Sequence, residues 1–298
     1  MIMKSVLAII TAAAILFPSL SLTQVSMTEK LAAGQPPLIA SSARAMETGC
    51  PDESLCRIQW AIDRGVDIVI IWVQQTGDGK YILLSDGTLT RKTNVRDVFP
   101  NGAPRRDPGD AVARWHLVND YTLEEIKELR LLDSEGGDHP VPTLEEALDL
   151  IDGQILVVLG VDSFEVESLK VLLEARDTSN LLLFNEGNLP ALRAITEATG
   201  IGAWTTVTQA RSPIEALEQQ IEMFGADLKV VDVEYDQLTT DLIVWADQRG
   251  VRLSHRGMGR EDIALRGGDT KPWLDALDGP ANLFVTQHPD AVMKLLGR

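Results

Sequence analysis

Nine short runs of apolar, often β-branched residues recur along this chain, and amphipathic segments of helical length separate most of them. The strand-length runs are 38–41, 67–73, 81–84, 154–161, 180–184, 202–207, 228–233, 251–255 and 282–286. The helical segments are 122–132, 143–151, 165–175, 188–199, 213–224 and 240–248. Strand–helix alternation predicts a parallel sheet with helical crossovers. The run ILVVLGV is apolar on both faces, as a strand covered on two sides must be. Gly77-Asp78-Gly79 is a tight-turn signal that predicts a hairpin between the second and third runs. Thr122 with Glu125 and Thr143 with Glu146 have the spacing of helix-starting capping boxes. An eight-stranded α/β barrel takes roughly 250 residues, and 298 residues accommodate one such domain plus an export signal.

The first residues read as that signal: Lys4, an apolar run over 6–17 too short to span a bilayer, then Ser19 and Ser21 before a cleavage point. The expected organisation is signal 1–21, a mobile linker 22–37 and a barrel 38–298. Cleavage would leave no transmembrane segment and a periplasmic or secreted product; an uncleaved anchor is the other reading. Net charge is −17, which disfavours nucleic acid as a partner. Cys50 and Cys56 are a candidate disulfide, allowed by export and decided by their Cα separation. As a metal site they are poor, with no second Cys pair and no nearby His.

The stretch 65–94, GVDIVIIWVQQTGDGKYILLSDGTLTRKTN, resembles the glycerophosphodiester phosphodiesterase signature GADxIExDVxxTKDGxxVVxHDxxLxRTTN. YTLEEIKELRLLD, VPTLEEALDLI and VTQHPDAVMKLL resemble further segments of that family, in the same order. The resemblance implies a (β/α)8 TIM barrel of the phospholipase-C-like phosphodiesterase type, with a hairpin-linked extra strand. It also implies a phosphoric diester hydrolase of lipid metabolism, with two His as acid and base and a carboxylate-held divalent cation such as Ca or Mg.

The frame matches, but the chemistry does not. LIASSARAM stands where the family has IAHRG, placing Ser41 at the His and Ser42 at the Arg, both expected to line the mouth. Arg44 could reach a ligand phosphate after a small register shift. Ile70 stands at the metal-binding Glu and Trp72 at the Asp, on one face of one strand. Ser85 replaces the second His, while Asp86 keeps the family's Asp and remains a candidate ligand-binding or turn-capping residue. The family's further Glu and Lys are missing from the apolar fourth run, and Gln287 stands for a late Asp. An aliphatic and an indole cannot ligate a hard cation, so no metal cofactor is expected.

The expectation is a pseudoenzyme, a barrel that binds a small molecule or a protein. The alternative is an active hydrolase relocated to His255 and Arg256, joined by Asp232 and Glu234 and by Asp162 and Glu186. His255-Arg256-Gly257 repeats the HRG tripeptide, but lacks the family's downstream context. His116, His139 and His288 read as loop or surface residues.

Overall fold

The computed structural model describes residues 26–31, 36–42, 46, 48–107, 109–132, 137–207 and 212–298. The expected signal 1–21 and the candidate Arg44 lie outside the described residues.

The nine strands are β1 Leu38–Ser41, β2 Ile68–Gln75, β3 Tyr81–Leu83, β4 Leu156–Ser163, β5 Leu181–Phe184, β6 Ala203–Thr206, β7 Leu228–Val233, β8 Arg252–Arg256 and β9 Leu283–Thr286. Eight of them run parallel and close into a barrel, because β1 pairs with both β2 and β9. The ninth, β3, pairs antiparallel with the upper half of β2 through the Gly77–Gly79 turn and stays outside the barrel. Helices such as Leu55–Asp63, Leu144–Ile151, Val166–Glu174, Leu189–Thr199 and Pro213–Phe224 cover the outside.

Strand alternation separates two cores. On β2, Val69, Ile71 and Val73 pack outward beneath the helices with Ile58, Leu144, Leu192 and Leu217. Ile68 points inward, with Leu38, Ala40, Leu156, Val158, Leu182, Phe184, Trp204 and Val285. Ile70 and Trp72 join this inner layer as half-buried residues.

Three expectations change. The 22–37 stretch is not all free linker: Met27–Lys30 is a helix docked under the barrel. The Met27 side chain is buried in the inner layer, its backbone N–H donates to Ser179 O at 3.0 Å, and Arg252 donates to Lys30 O at 2.9 Å. The 122–132 segment is helical only over Leu123–Lys127, because Arg130 and Leu131 turn away to bridge Pro140 and Thr93. A third hydrophobic cluster, outside the barrel, gathers Ile82, Val95, Ala103, Val118, Tyr121, Ile126 and Leu131. His116 belongs to that core and is not a surface residue. It is buried in a left-handed conformation (φ 53°), with Nδ1 2.6 Å from the Tyr121 hydroxyl, and burial pushes its pKa down. Both capping boxes form as spaced in the sequence. No helix among the described residues is long and apolar enough to cross a membrane.

Candidate functional site at the carboxyl ends of the strands

A pocket of about 280 Å³ opens at the end of the barrel where the parallel strands finish. In such barrels, function gathers at this end. Its deeper wall is apolar and aromatic: Ile70, Trp72, Val158, Phe184, Trp204 and Val285. Its polar groups are Ser42, Ser85, Asp162, Asp232, Arg256 and Gln287.

Trp72 shapes the cavity. Register places it level with Gly160 on the neighbouring strand and Ile70 level with Val158. A Cβ on Gly160 would lie 2.5 Å from Cδ2 and Cε3 of the indole and 3.0 Å from Cε2, which puts it over the face of the ring. The indole therefore lies face-down on the bare backbone of β4, and its other face is turned toward the barrel axis. Phe184 on β5 meets it edge-to-face at 5.5 Å. Trp72 lines the wall without plugging the mouth.

Asp232, at the end of β7, is buried against this wall. Its Oδ1 accepts from Trp204 Nε1 at 2.8 Å and from the Ser254 hydroxyl. Burial pushes its carboxyl above the usual range, against the charge of Arg256 and those two hydrogen bonds. Asp162 is the extra residue where the β2–β4 register slips, which aims it into the mouth. Although the residue is open to solvent, partial desolvation and then the Glu186 charge raise its carboxyl pKa. Arg256 leans outward, 3.5 Å from Glu186.

Other candidates lie elsewhere. Ser41 does not line the mouth. Strand alternation turns it outward, fully buried, 3.5 Å from Arg57 Nη1, and only Ser42 of the pair faces the pocket. Asp86 is clamped by Arg91, whose Nε donates at 2.6 Å and whose second nitrogen also donates. Glu234 is exposed and starts the short 3₁₀ turn Tyr235–Gln237. His255 does not converge with Asp232. Asp232 is level with the inward Ser254, and His255 is level with the outward Val233. The His255 ring stands outside the barrel among Tyr235, Trp273 and Phe284, with centroids 5.3, 6.0 and 6.1 Å away and Nε2 3.5 Å from Glu261. The Glu261 carboxyl is pushed up by burial, but His255, its own backbone N–H and the Arg260 charge together hold it below its ordinary value. Gly257 lets Trp273 pack directly on the backbone, since a Cβ there would lie 2.3 Å from the indole. The HRG tripeptide here is thus partly a packing element, with only Arg256 in the pocket. Cys50 and Cys56 are joined by a disulfide, Cα atoms 5.7 Å apart.

Two buried groups behind the pocket wall were missed. Arg57 reaches from helix Leu55–Asp63 and donates to Ser42 O at 2.7 Å and Ile70 O at 3.0 Å. Glu53 holds a left-handed backbone (φ 66°) within the disulfide loop. Its carboxyl is raised by burial, with Arg57 the leading opposing charge. Arg57, Ile58 and Ala61 share the helical spacing of a buried face, the signal that marks Arg57 as buried. Asp262 was missed too: it accepts from Trp273, Thr286 and the backbone of Gln287, and so holds Gln287 at the mouth.

A closed parallel barrel with one hairpin strand outside it and a pocket at the strands' carboxyl ends defines a (β/α)8-barrel protein of the phosphodiesterase type. The chain belongs to the glycerophosphoryl diester phosphodiesterase family, whose sequence pattern matches residues 44–254. A glycerophosphodiester phosphodiesterase of Bacillus altitudinis is 26% identical over 122 residues, 40% of this chain and 42% of that protein. One from Caldanaerobacter subterraneus subsp. tengcongensis is 30% identical over 118 residues, 38% and 40%. The matched stretch thus spans about two-fifths of each relative's length. Among solved structures, a glycerophosphoryl diester phosphodiesterase of Parabacteroides distasonis superposes with TM-score 0.71 at 19% identity, covering 92% of this chain and 93% of that one. A phosphodiesterase of Oleispira antarctica in complex with its product sn-glycerol-3-phosphate superposes with TM-score 0.62 at 18% identity, covering 88% and 98%. At these identities the superpositions speak for the fold alone.

Proposed function

We propose that this chain is a non-catalytic member of its family, a barrel that binds a small ligand at its mouth. One observation carries the reading. The inward positions level with one another on β2 and β4 are Ile70 with Val158 and Trp72 with Gly160. A hard divalent cation takes oxygen donors, and these four residues have no side-chain oxygen. They do not fit the family's metal, and Trp72 takes up space beside them. Proton transfer is equally unsupported. Ser41 faces away from the pocket, Ser85 has beside it only the Glu53 carboxyl, which is buried against the Arg57 charge, and His255 lies on the outer face of β8. What remains is a concave, largely apolar cavity with a few polar groups, the usual form of a small-molecule site.

The test is turnover of glycerophosphocholine and of bis(p-nitrophenyl) phosphate with Ca²⁺, Mg²⁺ or Mn²⁺ added. The expected rate is that of the buffer. Metal-dependent hydrolysis above that rate overturns the reading, and its loss in His255→Ala would revive the relocated site. Export is proposed with it, on the strength of residues 1–21; finding the chain in a periplasmic or culture fraction, shortened after Ser21, is the check.

A further inference from the structure

If the pocket binds without catalysis, its lining specifies the charge of what it binds. Three aromatic side chains, Trp72, Phe184 and Trp204, line the pocket, with Phe184 edge-to-face against Trp72 and level with Trp204 on the next strand. Trp72 is fixed by its seat on Gly160, which leaves one indole face turned to the axis. Aromatic faces carry negative potential and attract cations, indole most strongly. Two carboxylates, Asp162 and Asp232, project into the same cavity, and Glu186 stands just above it. Neither Asp162 nor Asp232 makes a salt bridge with a lysine or arginine among the described residues, although the Arg256 charge acts on Asp232. Among the described residues, the one basic side chain in the lining, Arg256, leans toward Glu186. Three acidic groups against one basic group, counted among the described residues, make the lining negative, on a chain that is itself strongly acidic.

Among the described residues, an anion entering this pocket would meet Asp162 and Asp232 with Arg256 as the one positive charge in its favour. An inorganic cation would find an indole where it needs oxygen. An organic cation satisfies both halves of the lining: its alkyl groups meet the aromatic wall and its charge meets the carboxylates. We propose that the pocket binds an alkylammonium compound, a quaternary or methylated amine small enough for a cavity of about 280 Å³. The ammonium lies over the free face of Trp72 with Asp162 and Asp232 around it. This assignment rests on the non-catalytic reading given above.

The experiment is isothermal titration of the purified full chain with tetramethylammonium and choline chloride. The comparison ligands are 3,3-dimethyl-1-butanol, the uncharged carbon analogue of choline, and glycerol 3-phosphate, with NaCl as the ionic-strength control. Both cations are expected to bind and to perturb tryptophan fluorescence. The neutral analogue should bind on the order of tenfold more weakly, the scale of a cation–π contact strengthened by desolvation. Trp72→Ala should weaken choline binding by a similar factor, whereas Trp72→Phe should keep much of it. Asp162→Asn, at the solvent-open rim and so safe for folding, should weaken the cations and leave the neutral analogue unchanged. Equal binding of choline and its neutral analogue overturns the cation assignment but leaves the ligand-binding reading standing. Tighter binding of glycerol 3-phosphate, or no binding of either cation, overturns the assignment as well. Hydrolysis of glycerophosphocholine by the same preparation would instead sink the non-catalytic reading.

Discussion

Trp72 and Gly160 act as one unit, since the indole's position depends on the glycine having no side chain. Gly160→Ala should force the indole off its seat, because the new methyl would lie 2.5 Å from the ring. The expected cost is about 1–3 kcal/mol by urea unfolding, the range for overpacking a filled interior. Combining it with Trp72→Ala should recover much of that loss, because the two residues share one space. A double variant whose loss is the full sum of the singles would refute the coupling. Asp232 makes a second residue-scale prediction. Its folded-state pKa is raised by burial, so the folded chain holds the proton more readily than the unfolded chain. The stability this linkage contributes is fully present below the unfolded pKa and is lost as pH rises through the folded one. Asp232→Asn keeps an oxygen for Trp204 and Ser254 while removing the buried charge. It should therefore be more stable than the parent to urea unfolding at pH 7, by about 1 kcal/mol, with the advantage shrinking as pH falls toward 4. An advantage that grows on acidification would show that the carboxylate is stabilising. Trp72 was legible in the sequence as the replacement for a metal ligand. That it lies flat on the wall was not, because this depends on which residue of another strand stands level with it.

Among the elements, the strands were the most legible, since each is a short apolar run and the two-residue period fixes which side chains face inward. The helices after β8 and β9 were harder to read. Arg260–Arg266, Lys271–Leu277 and Pro289–Leu295 have seven residues each, barely two turns, too few for a clear period. The helix Leu55–Asp63 hides a buried cation on its inner face, and this element ties the barrel wall to the disulfide loop. Arg57→Met should cost about 3–5 kcal/mol, because it strips donors from Ser42 O and Ile70 O and leaves Glu53 buried without its main countercharge. Adding Glu53→Gln should return part of that loss, since no unpaired charge would then remain in the wall. Chemical denaturation of the two singles and the double at pH 7 measures the difference. If the double is no more stable than Arg57→Met alone, the two groups are not coupled. Neither residue was singled out in the sequence. A charged residue on a helix reads as solvated until a buried face is traced through it, and the tertiary partners here are backbone carbonyls that no motif records.

For the whole molecule, the barrel and its chemistry are separable. Ser42, Ser85 and Gln287 lie in neither the outer core beneath the helices nor the inner core below the mouth; the departures on β2 and β4 are apolar residues that pack into or against those cores. The fold could therefore keep its frame while the mouth changed from oxygen ligands to an aromatic wall. Charge acts at this same scale. A net charge of −17 produces self-repulsion that disfavours the compact state. Salt screens it, as the Debye length falls from about 30 Å at 0.01 M to about 8 Å at 0.15 M. Salt also weakens surface pairs such as Arg64–Asp290 and Lys271–Asp275, but exposed pairs contribute only about 0–1 kcal/mol each and their charges are already in contact. The long-range repulsion should dominate, so melting temperature should rise as NaCl increases from 0.01 to 0.15 M. Binding of tetramethylammonium should move the other way and weaken over the same range, because the field that strains the fold also draws cations to the mouth. Differential scanning fluorimetry and titration calorimetry on one salt series separate the two effects. A melting temperature that falls with salt would mean that local pairs outweigh net charge, and salt-independent cation binding would mean that the acidic surface has no part in recognition.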